Sequence, residues 1–217
     1  MRAFSLSPGK LLRKAKRLAA PLFHRVPFSQ VQKAYDKVRN ELYEVGLLDE
    51  GVYLDHVACM QDAIPTLSEE LGFVFDEGVG WWHGIIGYEP GVIYIPRNAP
   101  ASLHVPGNTV LDTVRHEFAH AWAYLDREFI EGPWFRAAFG AGYFEEWDPP
   151  AFDPSRFVSD YACKSPREDF AETFMLYLRA RRSLDRYRRK PRLYRKLRAV
   201  EKAVRLAART RVDVTVR

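Results

Sequence analysis

The run "TVLDTVRHEFAHAW", residues 109–122, constrains this 217-residue chain more than any other stretch. His116 and His120 lie four apart, so on an α-helix they share a face and can aim imidazole nitrogens at one point about 2 Å from each. Glu117, rotated by roughly 100° from His116, reaches beside that point rather than onto it. Two convergent imidazoles and a neighbouring carboxylate are the arrangement of two ligands for a divalent cation and a general base. A chain of this composition would carry on the order of 0.01 such matches by chance. The helix itself is well signalled: Pro106 and Gly107 turn the chain, Thr109 with Asp112 forms a capping box, and Val110, Val114, Phe118 and Ala121 mark a buried side.

A catalytic zinc ordinarily takes three protein ligands and a water, so a third ligand has to be found. A tight return to the metal directly after the motif would need glycine and histidine, where this chain has Ala123 and Asp126. Without the glycine the turn that would bring Asp126 back is disfavoured. The stronger source lies downstream in "SPREDFAETF", read as a helix with Ser165 as N-cap, Pro166 at its first position and acids in its first turn. Glu168 and Glu172 are again four apart and share a face, while Asp169 points elsewhere. One can bind the metal while the other accepts a hydrogen bond from the far nitrogen of a ligating histidine. Spacing alone does not rank the two.

"HEFAH" followed by "YACKSPREDFAETF" resembles the anthrax lethal-factor-type gluzincins, a group similar in turn to the bacterial titration-factor peptidases. The likeness runs over roughly residues 80–205 and includes "GVIYIP" as the strand before the motif helix and a helix after Pro191. In that family a tyrosine precedes the ligand glutamate by seven residues and a second acid follows it by four, an order matched by Tyr161, Glu168 and Glu172. The resemblance therefore implies one Zn2+ per chain on His116, His120 and Glu168, with Glu172 supporting a histidine. It implies hydrolysis of a peptide or protein substrate, with Glu117 activating water and Tyr161 donating to the oxyanion. The edge of Val92, Ile93, Tyr94 and Ile95 is a candidate to pair with the substrate backbone. The "GPWFRAAFGAGYFEEWDPP" segment has no assignable counterpart, and its Gly, Pro and aromatic content reads as an ordered surface excursion.

The expected fold is α+β and zincin-like. A small antiparallel or mixed sheet, read from "GFVFD", "WWHGIIGY" and "GVIYIP", packs on the active-site helix, and the C-terminal part is mostly helical. Residues 1–27 form a basic arm, and 28–217 a single metallopeptidase domain. That domain opens on a helix with Ser29 as N-cap and Gly46 as stop, and closes on a helix after Pro191. Two cysteines, Cys59 and Cys163, are too few for a disulfide framework and suggest a reducing, cytoplasmic setting. No apolar run is long enough to span a membrane. "LLRKAKRLAAPLF" lacks the apolar block of a secretory signal, although it could serve as a transit segment.

Charge is unevenly spread. Residues 1–40 carry 10 Lys and Arg against 1 acid, and residues 179–217 carry 16 against 3, around an acidic middle. The ends either fold back on that middle or meet an anionic partner: a membrane surface, a nucleic acid or an acidic protein. Two other functions fit parts of this pattern, a protease recruited to nucleic acid by its basic termini and a non-catalytic binding module on the same scaffold.

Overall fold

The computed structural model describes residues 28–48, 56–59, 92–95 and 108–215. In chain order the elements are α1 (Phe28–Glu44), β1 (His56–Cys59), β2 (Val92–Ile95), α2 (Val110–Leu125), α3 (Arg127–Ile130), α4 (Pro133–Phe139), α5 (Pro166–Ala180) and α6 (Pro191–Thr215). Short 3-10 turns at Tyr161–Cys163 and Leu184–Tyr187 flank α5.

Local chemistry sets the helix ends. The Thr109 side chain accepts from the Asp112 amide and Asp112 accepts from the Thr109 amide, closing the capping box of α2. Ser165 caps α5 by accepting from the Glu168 amide, with Pro166 supplying a first position that needs no N–H. α1 stops where Gly46 takes φ 77°, a left-handed conformation that favours glycine. A Cβ there would stand 2.8 Å from that of Ala208, so the same glycine lets the end of α1 approach α6. The start of α1 differs from expectation: the helix already includes Phe28, and Ser29 is an exposed helical residue rather than a cap.

α2 lies at the centre. Val114, Phe118, Ala119, Ala121, Trp122 and Ala123 are all buried, because α5 packs along one side and α1 along another, while α6 covers α5 and α4. Phe170 of α5 is the hub of the aromatic core, with ring centroids 5.5–6.3 Å from those of Trp122, Trp134, Phe135, Phe139, Tyr143 and Phe174. Such tilted and edge-to-face contacts each add about 1 kcal/mol beyond simple burial.

Behind α2 a buried ionic clamp fixes α1. Arg115 donates from Nε and one terminal nitrogen to the two carboxylate oxygens of Glu41 at 2.8 and 2.7 Å, and from the other to Asp112 at 2.8 Å. Arg179 adds a contact to Asp112 at 3.4 Å, so α1, α2 and α5 meet in one charge network. Burial by itself would weaken the Arg115 charge, but the paired carboxylates outweigh it and hold the guanidinium pKa above its usual value.

Two expectations are overturned. The α+β architecture is corrected: the described structure is helical, and helices rather than a sheet enclose the motif helix. Strand structure among the described residues is limited to β1 and β2, four residues each and paired in parallel with His56 opposite Val92 and Cys59 opposite Ile95. The sheet rested on short Gly-punctuated runs, a weak signal beside the burial that amphipathic helices provide here. The residues read as its first strands, like the arm 1–27, Trp81, Trp82, His24, His83 and His104, lie outside the described residues. The supposed surface excursion is likewise corrected. It contains α3 and α4, and Phe135, Phe139 and Tyr143 within it are at most 2% exposed, because they complete the ring cluster on Phe170.

Replacing Arg115 by Met removes the central partner of a buried network and leaves Glu41 and Asp112 with only the longer contacts to Arg181 at 4.0 Å and Arg179 at 3.4 Å, which costs about 3–5 kcal/mol. Chemical denaturation monitored by circular dichroism should show that loss, whereas Arg127→Met on the exposed Arg127–Glu131 pair should change stability by less than about 1 kcal/mol.

Candidate metal centre

The capped registers of α2 and α5 place four ionisable side chains across one helix–helix contact. His116 and His120 come from α2, Glu168 and Glu172 from the first two turns of α5, and all four are buried. Inward-facing atoms of three of them form a tight triangle. His116 Nε2 and His120 Nε2 are 3.1 Å apart, His116 Nε2 and Glu168 Oε2 are 3.1 Å apart, and His120 Nε2 and Glu168 Oε2 are 3.5 Å apart. Glu168 Oε2 is buried without a well-formed hydrogen bond although it sits between two imidazoles.

That triangle is a test of fit. Zinc bonds of about 2.0–2.1 Å at tetrahedral angles put ligand atoms about 3.3–3.4 Å apart, which the three separations bracket. Two imidazole nitrogens and one carboxylate oxygen are also the donor set a borderline divalent metal prefers. His116, His120 and Glu168 can therefore hold a metal ion. Asp126 does not join them. It ends α2 and accepts from Trp122 Nε1 at 3.2 Å.

The outward nitrogens are held too. His116 Nδ1 lies 2.9 Å from Glu172 Oε1, and His120 Nδ1 lies 2.7 Å from the Tyr143 hydroxyl. A Nδ1–H donated to each acceptor leaves both Nε2 lone pairs facing the triangle. The other oxygen of Glu172 accepts from the Ser159 hydroxyl at 3.1 Å, and Ser159 Oγ in turn accepts from the Ala162 amide at 3.1 Å. Through these bonds the turn carrying Tyr161 is tied to a histidine support. Tyr161 is buried beside the site, its ring centroid 6.0 Å from that of His116, and the Lys164 ammonium stands over its ring, 4.6 Å from the centroid.

Tyr143 and Ser159 were not candidates from the sequence. Tyr143 lies in a segment to which the lethal-factor-type resemblance assigns no role, and Ser159 follows no spacing rule; both reach the site only through tertiary packing. The substrate-strand candidates Val92, Ile93, Tyr94 and Ile95 form β2, which approaches α2 and gives one edge to β1.

The electrostatics favour a cation. Burial alone would depress the His116 pKa, but the carboxylates of Glu168, Glu172 and Glu117 around it outweigh burial and hold it well above 6.5. Burial lowers the His120 pKa despite the pull of Glu168. Burial would likewise raise Glu168, yet the imidazoles of His120 and His116 carry it well below the usual carboxylate range. Glu117, the next residue to His116 on α2, is buried as well.

Residues 97–193 match the model of a family described as "Putative zinc-binding metallo-peptidase". The matched span contains every residue of the centre, from His116 to Glu172. It supports a metallopeptidase in the coarse sense, and the narrower likeness to lethal-factor-type gluzincins is not part of what matches. No curated protein and no solved structure matches the chain.

Two outcomes follow from this geometry. Tyr143→Phe removes the acceptor for His120 Nδ1–H while keeping the ring, so zinc affinity by chelator competition should fall about 10–100-fold with little change in fold. Protons compete with metal for His116 Nε2, whose pKa is raised. Zinc affinity should thus be greatest above that raised value and fall as pH drops through it, the decline starting above pH 6.5. Titrations across pH in a weakly coordinating buffer check the sign, since an unperturbed histidine would show the decline only near 6.5.

Proposed function

We propose that the chain is a zinc-dependent metallopeptidase of gluzincin type that hydrolyses peptide bonds in a peptide or protein substrate. The observation that carries the reading is the His116–His120–Glu168 triangle with buried Glu117 on the same helix. His116, His120 and Glu168 would hold one zinc ion, which supplies polarisation of the scissile carbonyl and acidification of the attacking water.

The remaining work falls to the chain. Glu117 accepts the water proton and returns it to the leaving amine, a role suited to a carboxylate adjacent to but outside the ligand set. Glu172 and Tyr143 keep the two imidazoles in the tautomer that presents Nε2. Tyr161 donates its phenolic hydrogen to the oxyanion that develops on the carbonyl. Its placement beside His116, fixed through Ser159, supports that role. The edge of Val92–Ile95 away from β1, unpaired among the described residues, pairs with the extended substrate backbone, giving affinity that depends little on side chains. The non-catalytic alternative is disfavoured by Glu117, since a scaffold used only for binding has no need of a buried acid there.

Zinc content by mass spectrometry and cleavage of a proteome-derived peptide mixture test the reading together. Glu117→Gln should retain zinc and lose at least about 10²–10⁴-fold in kcat, and Tyr161→Phe should lose about 10²–10³-fold in kcat with little change in KM. Cleavage by Glu117→Gln at the parental rate would remove the assigned base, and a parent that binds no zinc would remove the reading itself.

A further inference from the structure

The C-terminal helix α6 spends one face on the core and lays out the other as a line of positive charge. Leu193, Leu197, Val200, Val204 and Ala207 are buried at helical spacing. On the opposite side Arg195, Arg198, Lys202, Arg205 and Arg209 follow one another in steps of three or four residues, and all five are exposed. Residues so spaced are neighbours on a helix surface, about 5–6 Å apart at Cβ. The line is therefore about 21 Å long at 1.5 Å per residue.

One acid interrupts it. Glu201 is buried beneath the stripe and pairs with both Arg198 and Arg205, the latter at 2.7 Å, so it orients two guanidinia rather than cancelling the line. Arg195, Lys202 and Arg209 have no acidic partner among the described residues. Just before the helix, Arg186, Arg188, Arg189 and Lys190 are exposed as well, and among the described residues Asp185 is their one acidic partner, at 3.1 Å from Arg188.

We propose that this face of α6 docks the phosphodiester backbone of a nucleic acid without reading its sequence. A linear array of cations at regular pitch complements a polymer carrying one charge per repeat. A membrane is the poorer partner, because a helix that lies in a lipid interface needs an apolar face to insert, and from Leu193 to Ala207 that of α6 is committed to the core, with Leu206 at 50% exposure the one large apolar side chain left out among the residues whose burial is described. No aromatic side chain lies among the five basic residues, so nothing there stacks on bases or discriminates between them. The inference stands on the surface alone and does not depend on the metal centre.

Fluorescence anisotropy of the full chain with a labelled 20-base-pair duplex of arbitrary sequence, over a salt series, tests it. With five phosphate contacts the logarithm of affinity should fall against log salt with a slope of about −4 to −5. Arg195→Gln, Lys202→Gln and Arg209→Gln combined retain helix propensity and should cut affinity at least tenfold and flatten the slope by about 2 to 3, with helicity by circular dichroism unchanged. Should the combined variant lose helicity, each single Gln variant should still flatten the slope by about 1. A combined variant that is folded and binds like the parent would place binding elsewhere, including the basic N-terminal segment, and overturn the proposal. So would parental binding that is absent at low salt, or tighter to vesicles rich in anionic lipid or to polyglutamate than to the duplex.

Discussion

The contact between α2 and α5 sets the terms for everything else, because it buries charge that no ordinary helix pair would tolerate. Glu117, Glu168 and Glu172 are carboxylates closed off from water beside two imidazoles, a side chain that with its ordinary pKa is mostly neutral at pH 7. Left alone, that group carries excess negative charge, which is why His116 holds a proton so tightly. A divalent cation meets the same need with the geometry the donor atoms already have. The ring cluster around Phe170 keeps the two helices in register, so the donor atoms keep their positions without relying on the ion pairs themselves.

The first turns of α5 show how helical periodicity sorts three acids into three roles. Glu168 and Glu172, one turn apart, face α2 and meet His116 from its two sides, one at Nε2 and the other at Nδ1. Asp169, rotated away, is buried against Lys196 of α6, which also donates to the Arg156 carbonyl at 2.9 Å. Burial raises Asp169 to about 6 even against the attraction of Lys196, and it lowers Lys196 despite Asp169. Both shifts say that desolvation exceeds the gain from pairing. The pair therefore joins α5 to α6 in a fixed register more than it adds stability.

The two histidine supports differ in kind. His116 leans on a carboxylate that is itself anchored by Ser159, whereas His120 leans on a phenol delivered by the segment after α4. That segment makes its turn through Gly140 at φ 90° and then buries Tyr143 among Phe135 and Phe170. A stretch read from the sequence as a surface excursion is thus part of the core and of the centre at once. Its neighbour Phe144 stays at the surface under the Arg127 guanidinium.

What could be read in the linear chain is what depends on near neighbours. Caps at Thr109 and Ser165, the stop at Gly46, the buried faces of α2 and α6, and the one-turn pairing of His116 with His120 and of Glu168 with Glu172 all follow from spacing within a few residues. The expected sheet was misjudged because short apolar runs have no period long enough to distinguish strand from other buried structure. The start of α1 was misjudged because helix termini depend on a single turn of hydrogen bonds. Which glutamate faces Nε2, and the arrival of Tyr143 and Ser159 from outside the motif, were decided by how α2, α5 and the segments between them pack. Local sequence supplies the ligand types and their phase along each helix. Only the tertiary structure sets the separation and rotation between helices, and it is that rotation which decides which donor atoms lie about 3 Å apart.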